Sequence, residues 1–148
     1  MKGIDYRINK SSETQIREHL KDCSKDFVPP LNTYVDINTY SKKLKNKATC
    51  IEAYHQNALV GIIAVYYNTA EKSAFITNLS IECSFSNKGI AKNLINLCLD
   101  IGSLLKLDYV ELEVHKSNLR AIRFYEKALF TIHSENFAAD KIVMKRKI

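Results

Sequence analysis

The sequence predicts an α/β fold of the α+β type, in which helices cover a mixed sheet. Three strand-like runs follow one another closely between residues 48 and 83, separated only by short turns. A strongly amphipathic helix covers residues 89–105, and a strand with alternating apolar and polar residues comes directly after it at 108–115. Neighbouring strands combined with separate helices are typical of a mixed layer rather than a doubly wound parallel sheet.

The beginning of the chain is predicted to contain a short strand and then a helix. The strand covers residues 4–9, and Ser11 or Ser12 caps a helix that runs to about Cys23. Two prolines within residues 27–31 remove backbone donors and fix backbone angles, so this segment is predicted to be a loop.

The strand-like runs come after a second helix, which Asp36 can cap. They cover residues 48–55, 58–67 and 73–83, and the short turns between them favour an antiparallel meander. The second run is apolar on both faces, which predicts a central strand. Gly61 within it indicates either a bulge or close packing.

The last part of the chain alternates helices and strands. Residues 89–105 form the strongest helix, residues 108–115 a strand, residues 118–129 a final helix, and residues 130–135 and 141–147 two closing strands. The predicted apolar face of the strongest helix consists of Ile90, Leu94, Leu97, Cys98, Ile101, Leu104 and Leu105.

Length and composition favour a single folded domain over residues 1–148. No apolar run reaches the roughly 20 residues that a membrane span needs, and the N-terminus lacks the apolar stretch of a secretory signal. We therefore expect a cytoplasmic protein. The formal net charge of +6 suits a polyphosphate cofactor as well as a nucleic acid, and no zinc-finger spacing or aromatic RNA-binding strand accompanies the lysines.

Cysteines and histidines are scattered along the chain without the close pairs that zinc sites usually show. They are Cys23, Cys50, Cys83, Cys98, His19, His55, His115 and His133. We expect reduced thiols that act as small hydrophobic residues, with no metal and no disulfide.

A loop of small residues joins the third strand-like run to the strongest helix, at residues 84–91. The start of a helix presents free backbone N–H groups and the positive end of the helix dipole, which together favour a bound phosphate. Gly89 and Ala91 keep the approach slim, Asn87 tolerates a positive φ, and Lys88 adds a positive charge. Taken alone, the segment is explained at least as well by an ordinary strand-to-helix turn.

Residues 112–130 read LEVHKSNLRAIRFYEKALF. This stretch closely resembles the end of the GNAT superfamily of N-acetyltransferases, which typically reads L-x-V-x-x-x-N-x-x-A-I-x-x-Y-E-K-x-G-F. Leu129 stands where the family usually has glycine, so the helix is expected to end without a left-handed glycine cap. The loop at residues 84–91 also resembles the family's pyrophosphate loop, Q/R-x-x-G-x-G/A, with Ser86 at the usual Gln or Arg position.

The resemblance implies a mixed, mostly antiparallel sheet of six to seven strands, flanked by about four helices. It also implies acetyl-coenzyme A as the cofactor. Backbone groups near Leu79 and Ile81 would bond the pantetheine arm, and Asn118 would lie beside that arm while capping its helix. The pyrophosphate would be held by Ser86, Asn87, Lys88, Gly89, Ile90 and Ala91.

The same resemblance implies that Tyr125 acts as a general acid toward the departing thiolate, although it could be a core tyrosine only. Glu113 matches a glutamate proposed as the base in some family members, and an ordinary solvated position on the sheet is the competing interpretation. Asn78, Ser80 and Glu82 are other candidates that face the site. Amines are mostly protonated at pH 7 because their pKa values lie near ~8 to ~10, so a base is useful.

The acceptor is not identifiable from the sequence. Tyr34 and Tyr40 beside the proline loop, with Tyr66 and Tyr67, suit an amino sugar, a peptide N-terminus or simple packing. Two other functions stay open: an acetyl-coenzyme A sensor or scaffold without turnover, and a small basic nucleic-acid-binding domain. The enzyme prediction is a direct transfer to a primary amine, with no nucleic-acid or membrane partner, in a chain that can form homodimers.

Overall fold

Over residues 3–148, which are the residues that the structure describes, the computed structural model contains seven strands and four α-helices joined by short loops. The strands are β1 (Ile4–Ile8), β2 (Thr49–His55), β3 (Ala58–Asn68), β4 (Ser73–Ile81), β5 (Tyr109–His115), β6 (Thr131–Asn136) and β7 (Lys141–Lys147). The helices are α1 (Glu13–Cys23), α2 (Ile37–Lys47), α3 (Ile90–Leu104) and α4 (Leu119–Lys127). The predicted α/β class and element order are confirmed.

The strands form one mixed sheet in the order β1-β2-β3-β4-β5-β7-β6. The predicted meander of β2, β3 and β4 is antiparallel, as expected, while β4 and β5 are parallel. Their pairing runs from Ser73 opposite Tyr109 to Ile76 opposite Leu112 and stops there. Residues 77–81 of β4 continue along β3 only as the two parallel strands separate.

The two faces of the sheet pack against different helices. Ile63 and Val65 of β3 belong to the core under α3, whereas Ile62 and Ala64 belong to the core under α1 and α2. Because successive residues of a strand point to opposite faces, this alternation confirms that β3 is a central strand buried on both sides.

The buried face of α3 differs in part from the predicted one. Ile95 and Gly102 are buried, whereas Leu104 is 82% exposed. A Cβ added at Gly102 would lie 2.7 Å from Cδ1 of Ile148, so the glycine lets the C-terminal residue pack closely on the helix. The prediction placed Leu104 on the apolar face because helical spacing alone does not show where the covering sheet ends.

Gly61 lies both at a bulge and at a point of close packing, the two alternatives that the sequence offered. The β2–β3 register shifts next to it, between Ala53 and Tyr54. A Cβ at Gly61 would lie 2.8 Å from Cδ1 of Ile81 and 3.3 Å from Cγ2 of Ile90. The missing side chain therefore makes room for the packing of β4 and α3 beside the separation of β4 from β5.

The end of α4 corrects a prediction. Leu129 was expected to avoid the left-handed conformation that glycine usually supplies, yet its φ is +69°. The Leu129 N–H donates to the carbonyl of Glu126, and the Phe130 N–H donates to the carbonyl of Tyr125. These are the paired bonds of a Schellman motif, so the family's usual helix end is retained and a leucine carries its backbone strain.

Replacing Leu129 with glycine is expected to stabilise the protein. A left-handed conformation costs a residue with a Cβ about 1–2 kcal/mol, and the greater freedom of glycine in the unfolded chain removes part of that gain. Because the leucine is 68% exposed, little packing is lost, and urea unfolding should show a net gain of about 0.5–1 kcal/mol. Leu129→Ala, which keeps the Cβ, is the control; an equal gain in both variants would contradict the strain argument.

Three of the four cysteines behave as small hydrophobic residues: Cys23, Cys50 and Cys98 are buried, and Cys83 is exposed. Within residues 3–148, the structure has no group of three or more His, Cys, Asp or Glu side chains placed to hold a metal ion. None of the helices in this part of the chain has the length and apolar character needed to cross a membrane.

Candidate functional site

A cleft of about 730 Å³ opens where β4 leaves β5. Its walls come from the end of α1, the free half of β4, the loop after β4, and the first turns of α3 and α4. The predicted cofactor residues that line it are Leu79, Ile81, Ser86, Asn87, Gly89, Ile90, Ala91 and Asn118. The structure therefore brings together residues that lie as far as 39 positions apart. Lys88 is exposed and does not line the cleft.

The loop before α3 has the backbone shape of an anion site. Asn87 has a φ of +60°, and Gly89, the N-cap of α3, has a φ of +83°. Among the residues that the structure describes, no side chain caps this helix start, so its first N–H groups remain open to a ligand at the positive end of the helix dipole. Asn87 therefore adopts the left-handed conformation that the sequence predicted it would tolerate.

Gly89 and Ser86 each have a role within the protein that the sequence did not predict. A Cβ at Gly89 would meet no atom of residues 3–148 within 4 Å, so the glycine is needed here for its positive φ rather than to avoid a clash. The Ser86 hydroxyl donates to the carbonyl of Cys83 at 2.7 Å. The side chain at the usual Gln or Arg position therefore closes the turn after β4.

Two predicted residues flank the separation of the parallel strands. Leu79 and Ile81 lie opposite Ile63 and Gly61 of β3, beyond the last residue pair shared with β5. Their backbone edge on the β5 side is consequently available to an extended ligand. Across the gap, the side chain of Asn118 accepts a hydrogen bond from the Ala121 N–H at 3.2 Å, which confirms that it caps α4.

Tyr125 lies on α4 and lines the cleft. Its ring packs edge-on against Phe124 and Phe130, with centroids 5.3 and 5.6 Å away. Burial raises the pKa of the Tyr125 phenol above its usual value, with a smaller contribution from Cys98. The hydroxyl is therefore protonated at neutral pH, and within residues 3–148 no hydrogen bond ties it to another side chain.

Glu113 and Tyr34 lie outside the cleft, around one lysine. Lys141 places its Nζ 3.9 Å from a carboxylate oxygen of Glu113 and 5.8 Å from the centre of the Tyr34 ring. Glu113 points away from the buried Leu112 and Val114, as the alternation predicted, toward the sheet face covered by α1 and α2. The predicted base is thus an exposed carboxylate in an ion pair, on the side that also carries Tyr34.

Tyr40 uses its hydroxyl within the protein. The hydroxyl lies 2.9 Å from both the carbonyl and Oγ1 of Thr77, where β4 bulges against β3. Burial raises the pKa of Tyr40 to about 12. Tyr66 and Tyr67 lie on opposite faces of the sheet. Tyr66 packs on the α1/α2 side, whereas the Tyr67 hydroxyl donates to the carbonyl of Cys98 on the α3 side. Tyr67 therefore lies on the sheet face opposite Tyr34.

A buried polar chain beside the cleft contains two of the alternative base candidates, Asn78 and Ser80, together with His19, to which the sequence assigned no role. His19 Nε2 lies 2.9 Å from the Ser80 hydroxyl, which donates to Oδ1 of Asn78 at 3.0 Å. Ser80 also lines the cleft. Since the hydroxyl proton points to Asn78, His19 donates from Nε2, and burial, which lowers its pKa, favours the neutral ring. The sequence signal was the polar pair Asn78 and Ser80 within an apolar strand; the histidine 61 residues earlier gave none.

Acid is expected to destabilise the protein through His19. Burial lowers its pKa below the ordinary 6.5, while Ser80, Glu82 and Asp22 oppose this shift. The unfolded chain therefore binds more protons below about pH 6.5. Stability is complete above that pH and falls as the pH drops toward the lowered pKa of the folded state, by up to about 1.4 kcal/mol per pH unit.

Urea unfolding between pH 7.5 and 5 measures this slope. His19→Gln should flatten it, because an amide keeps a donor for Ser80 and does not titrate. His133→Gln, at an exposed position, is the matched control and should leave the slope of the parent unchanged. Identical slopes for parent and His19→Gln would show that another group causes the acid sensitivity.

Comparisons with known proteins give one family. The model of the acetyltransferase (GNAT) family matches residues 14–129. A search of curated proteins finds no match. Among solved structures, Ard1 from Thermoplasma volcanium is 19% identical with a TM-score of 0.77, over 99% of this chain and 98% of that one.

Two further structures have similar scores. The paia N-acetyltransferase from Thermoplasma acidophilum, solved in complex with coenzyme A, is 15% identical with a TM-score of 0.75, over 97% of this chain and 99% of that one. A putative GNAT acetyltransferase from Desulfovibrio desulfuricans is 14% identical with a TM-score of 0.79, over 97% and 98%. At these identities the structural similarity establishes the fold alone. The match to the family model establishes the family.

Proposed function

Because this chain belongs to the GNAT acetyltransferase family, we propose that it transfers the acetyl group of acetyl-coenzyme A directly to a primary amine. The observation that supports this most strongly is the cleft at the separation of β4 and β5, which combines a free strand edge, an uncapped helix start and a protonated tyrosine. The acceptor would be a small amine, such as an amino sugar, or a peptide N-terminus.

Different residues of the cleft would bind the pyrophosphate and the pantetheine arm of the cofactor. The first turn of α3 and the left-handed residues Asn87 and Gly89 would take the pyrophosphate through backbone N–H groups. The free edge at Leu79 and Ile81 would bond the pantetheine arm in the manner of an added strand. Asn118 would close the opposite side. Ser86 would shape the loop rather than bind phosphate through its side chain, because its hydroxyl donates to the carbonyl of Cys83.

The transfer itself needs three contributions from the protein. Acetyl-coenzyme A supplies an acetyl group activated as a thioester. A backbone N–H of the free β4 edge would stabilise the carbonyl oxygen as negative charge develops on it. The new bond joins the amine nitrogen to the acetyl carbon, and the carbon–sulfur bond breaks. Tyr125 would donate a hydrogen bond to the departing sulfur, and a base would take the proton that the nitrogen loses.

Glu113 is the proposed base, acting directly or through water. It lies on the α1/α2 side of the sheet beside Tyr34, and Lys141 holds its carboxylate. In an assay with a good acceptor, Glu113→Gln is expected to lower the rate and to shift its pH dependence, because the amide cannot accept a proton. Glu111→Gln is the matched control. Glu111 lies two residues before Glu113 on the same face of β5 and forms a similar ion pair, with Lys145. Equal pH profiles for both variants would remove Glu113 from this role.

The proposed function is tested by calorimetric titration with acetyl-coenzyme A, with ATP as a polyanion control, followed by an acetylation assay over a panel of amines. Saturable binding that prefers coenzyme A, together with turnover of an amine, is the expected result. Binding without turnover across small amines, amino sugars and peptides would favour a sensor or scaffold. Equal binding of ATP would overturn the proposed cofactor site.

A further inference from the structure

One face of α4 carries three cations around an aromatic ring. Arg120, Arg123, Phe124 and Lys127 follow the spacing i, i+3, i+4 and i+7, which places them on one side of a helix. All four line the cleft. Phe124 is half-buried against the ring of Tyr125, with centroids 5.3 Å apart, whereas the three basic residues are exposed.

The three basic residues on this face of α4 have no acidic partner in the part of the chain that the structure describes. Within residues 3–148, no carboxylate lies within salt-bridge distance of the three α4 cations, although other basic residues of the chain, such as Lys141 and Lys145, do form ion pairs. Lys92 of α3 adds a further positive charge to the cleft. Asp26 is the one acidic residue among the lining residues that the structure describes, and it lies in the short 3-10 turn that follows α1.

This charge exceeds what the proposed pyrophosphate site requires. Backbone N–H groups at the start of α3 already serve that site, as argued above. The three cations and Phe124 of α4 instead suit a ligand that carries a second anionic group next to a planar ring. Guanidinium groups bind phosphate bidentately, and aromatic side chains stack on bases. The nucleotide end of coenzyme A offers both, as its ribose carries a phosphate monoester with about −1.5 to −2 charges at pH 7.

We propose that α4 is the specificity element for the 3′-phosphoadenosine end of the cofactor, an inference that rests on the proposed function. Phe124 stacks on the purine, and Arg120, Arg123 and Lys127 hold the 3′-phosphate. The chain therefore distinguishes coenzyme A from 3′-dephospho-coenzyme A, which is identical in its pyrophosphate and pantetheine parts.

Calorimetric titration of the parent protein with each of these two ligands tests this assignment. The parent should bind coenzyme A about tenfold or more tightly than the dephospho form, as expected for charge-assisted hydrogen bonds. In the triple variant Arg120→Gln, Arg123→Gln, Lys127→Gln, the affinity for coenzyme A should fall to that for the dephospho form. The affinity for the dephospho form itself should stay near its parent value.

Two variants separate local contacts from general charge. Phe124→Leu should weaken both ligands by the same factor and keep their ratio, because it removes only the stacking surface. The triple variant Lys42→Gln, Lys43→Gln, Lys45→Gln removes the same charge from α2 and should leave both affinities and the ratio unchanged. Arg123→Gln alone, with a smaller reduction of the ratio, serves if the α4 triple variant does not fold.

The outcomes separate this inference from the proposed function. Equal parent affinity for the two ligands would overturn the role of α4 and leave the cofactor site in place. An unchanged ratio in the α4 variants would do the same. Absence of binding for both ligands would overturn the proposed function and the assignment of α4 together.

Discussion

Replacing Tyr125 with phenylalanine is expected to lower kcat for acetyl transfer about 100-fold, the lower range for loss of a positioned proton donor. The affinity for acetyl-coenzyme A should stay close to that of the parent. The ring contacts with Phe124 and Phe130 are kept in the variant, and the hydroxyl makes no hydrogen bond within residues 3–148. Folding stability should therefore change little.

The size of this effect follows from the environment of the phenol. Burial raises the pKa of Tyr125, so complete proton transfer to a thiolate whose conjugate acid has a pKa near ~8.5 is uphill. The proposed contribution is a hydrogen bond that strengthens as charge develops on sulfur, inside a cleft where electrostatic interactions exceed those in water. Such a contribution lowers kcat when it is lost and leaves ground-state binding nearly intact.

Tyr67→Phe is the matched control for this prediction. Tyr67 is also a partly buried tyrosine under α3, but its hydroxyl donates to the carbonyl of Cys98 at 2.8 Å. Its loss should cost about 1 kcal/mol of stability and leave kcat unchanged, the reverse of the result expected for Tyr125→Phe. An unchanged kcat in Tyr125→Phe would remove the proposed donor.

Replacing Glu52 with alanine is expected to lower the free energy of unfolding by about 3 kcal/mol, since the buried N–H of Ser11 and the partly buried N–H of Lys10 both lose their acceptor. Glu52 lies on β2 and is 0% exposed. Its two carboxylate oxygens accept the N–H groups of Lys10 and Ser11, each at 2.8 Å. A total stability of about 5–15 kcal/mol is usual, so this single change would remove a large share of it.

The position of α1 depends on these two bonds. Lys10 and Ser11 immediately precede Ser12, the N-cap of the helix, whose side chain accepts from the Gln15 N–H in a capping box. Ser11 is fully buried and its hydroxyl also bonds the hydroxyl of Tyr54. Loss of the carboxylate should therefore loosen the start of the helix that carries His19 and ends at the cleft, so we expect weaker acetyl transfer as well.

Urea unfolding of three variants checks this prediction. Glu52→Gln should destabilise less than Glu52→Ala, because the amide keeps one acceptor oxygen. Glu71→Ala, at an exposed turn, should change stability by no more than about 0.5 kcal/mol. A loss below about 1 kcal/mol in Glu52→Ala would mean that water replaces the carboxylate without cost.

The candidate site was predictable from the sequence where a motif fixes local geometry. Asn118 caps α4 and Tyr125 follows two turns later on the same helix, so their relation depends on contacts within a few residues. The positive φ of Asn87 and Gly89 follows from which residues tolerate that conformation. The family patterns in residues 84–91 and 112–130 placed these local features in one fold.

Other features of the site depend on partners far away in the chain. Glu52 gave no signal, because its acceptor role is set by backbone donors 41 and 42 residues earlier. The family pattern placed Ser86 among the pyrophosphate residues, at the usual Gln or Arg position, and gave no sign that its hydroxyl donates to the carbonyl of Cys83 and closes the turn after β4. Leu129 was expected to abandon the left-handed helix end, but the surrounding bonds of the Schellman motif hold it there.

The sequence by itself determined the α/β class, the order of the elements and the family, because periodicity, caps and turn residues act over short distances. Only the tertiary structure decided that β7 lies between β5 and β6 and that β4 leaves β5 after Ile76. Strand pairing joins backbone groups that are remote in sequence, and no local preference of the residues specifies it. The cleft exists because of that separation, which frees one edge of β4 beside the start of α3.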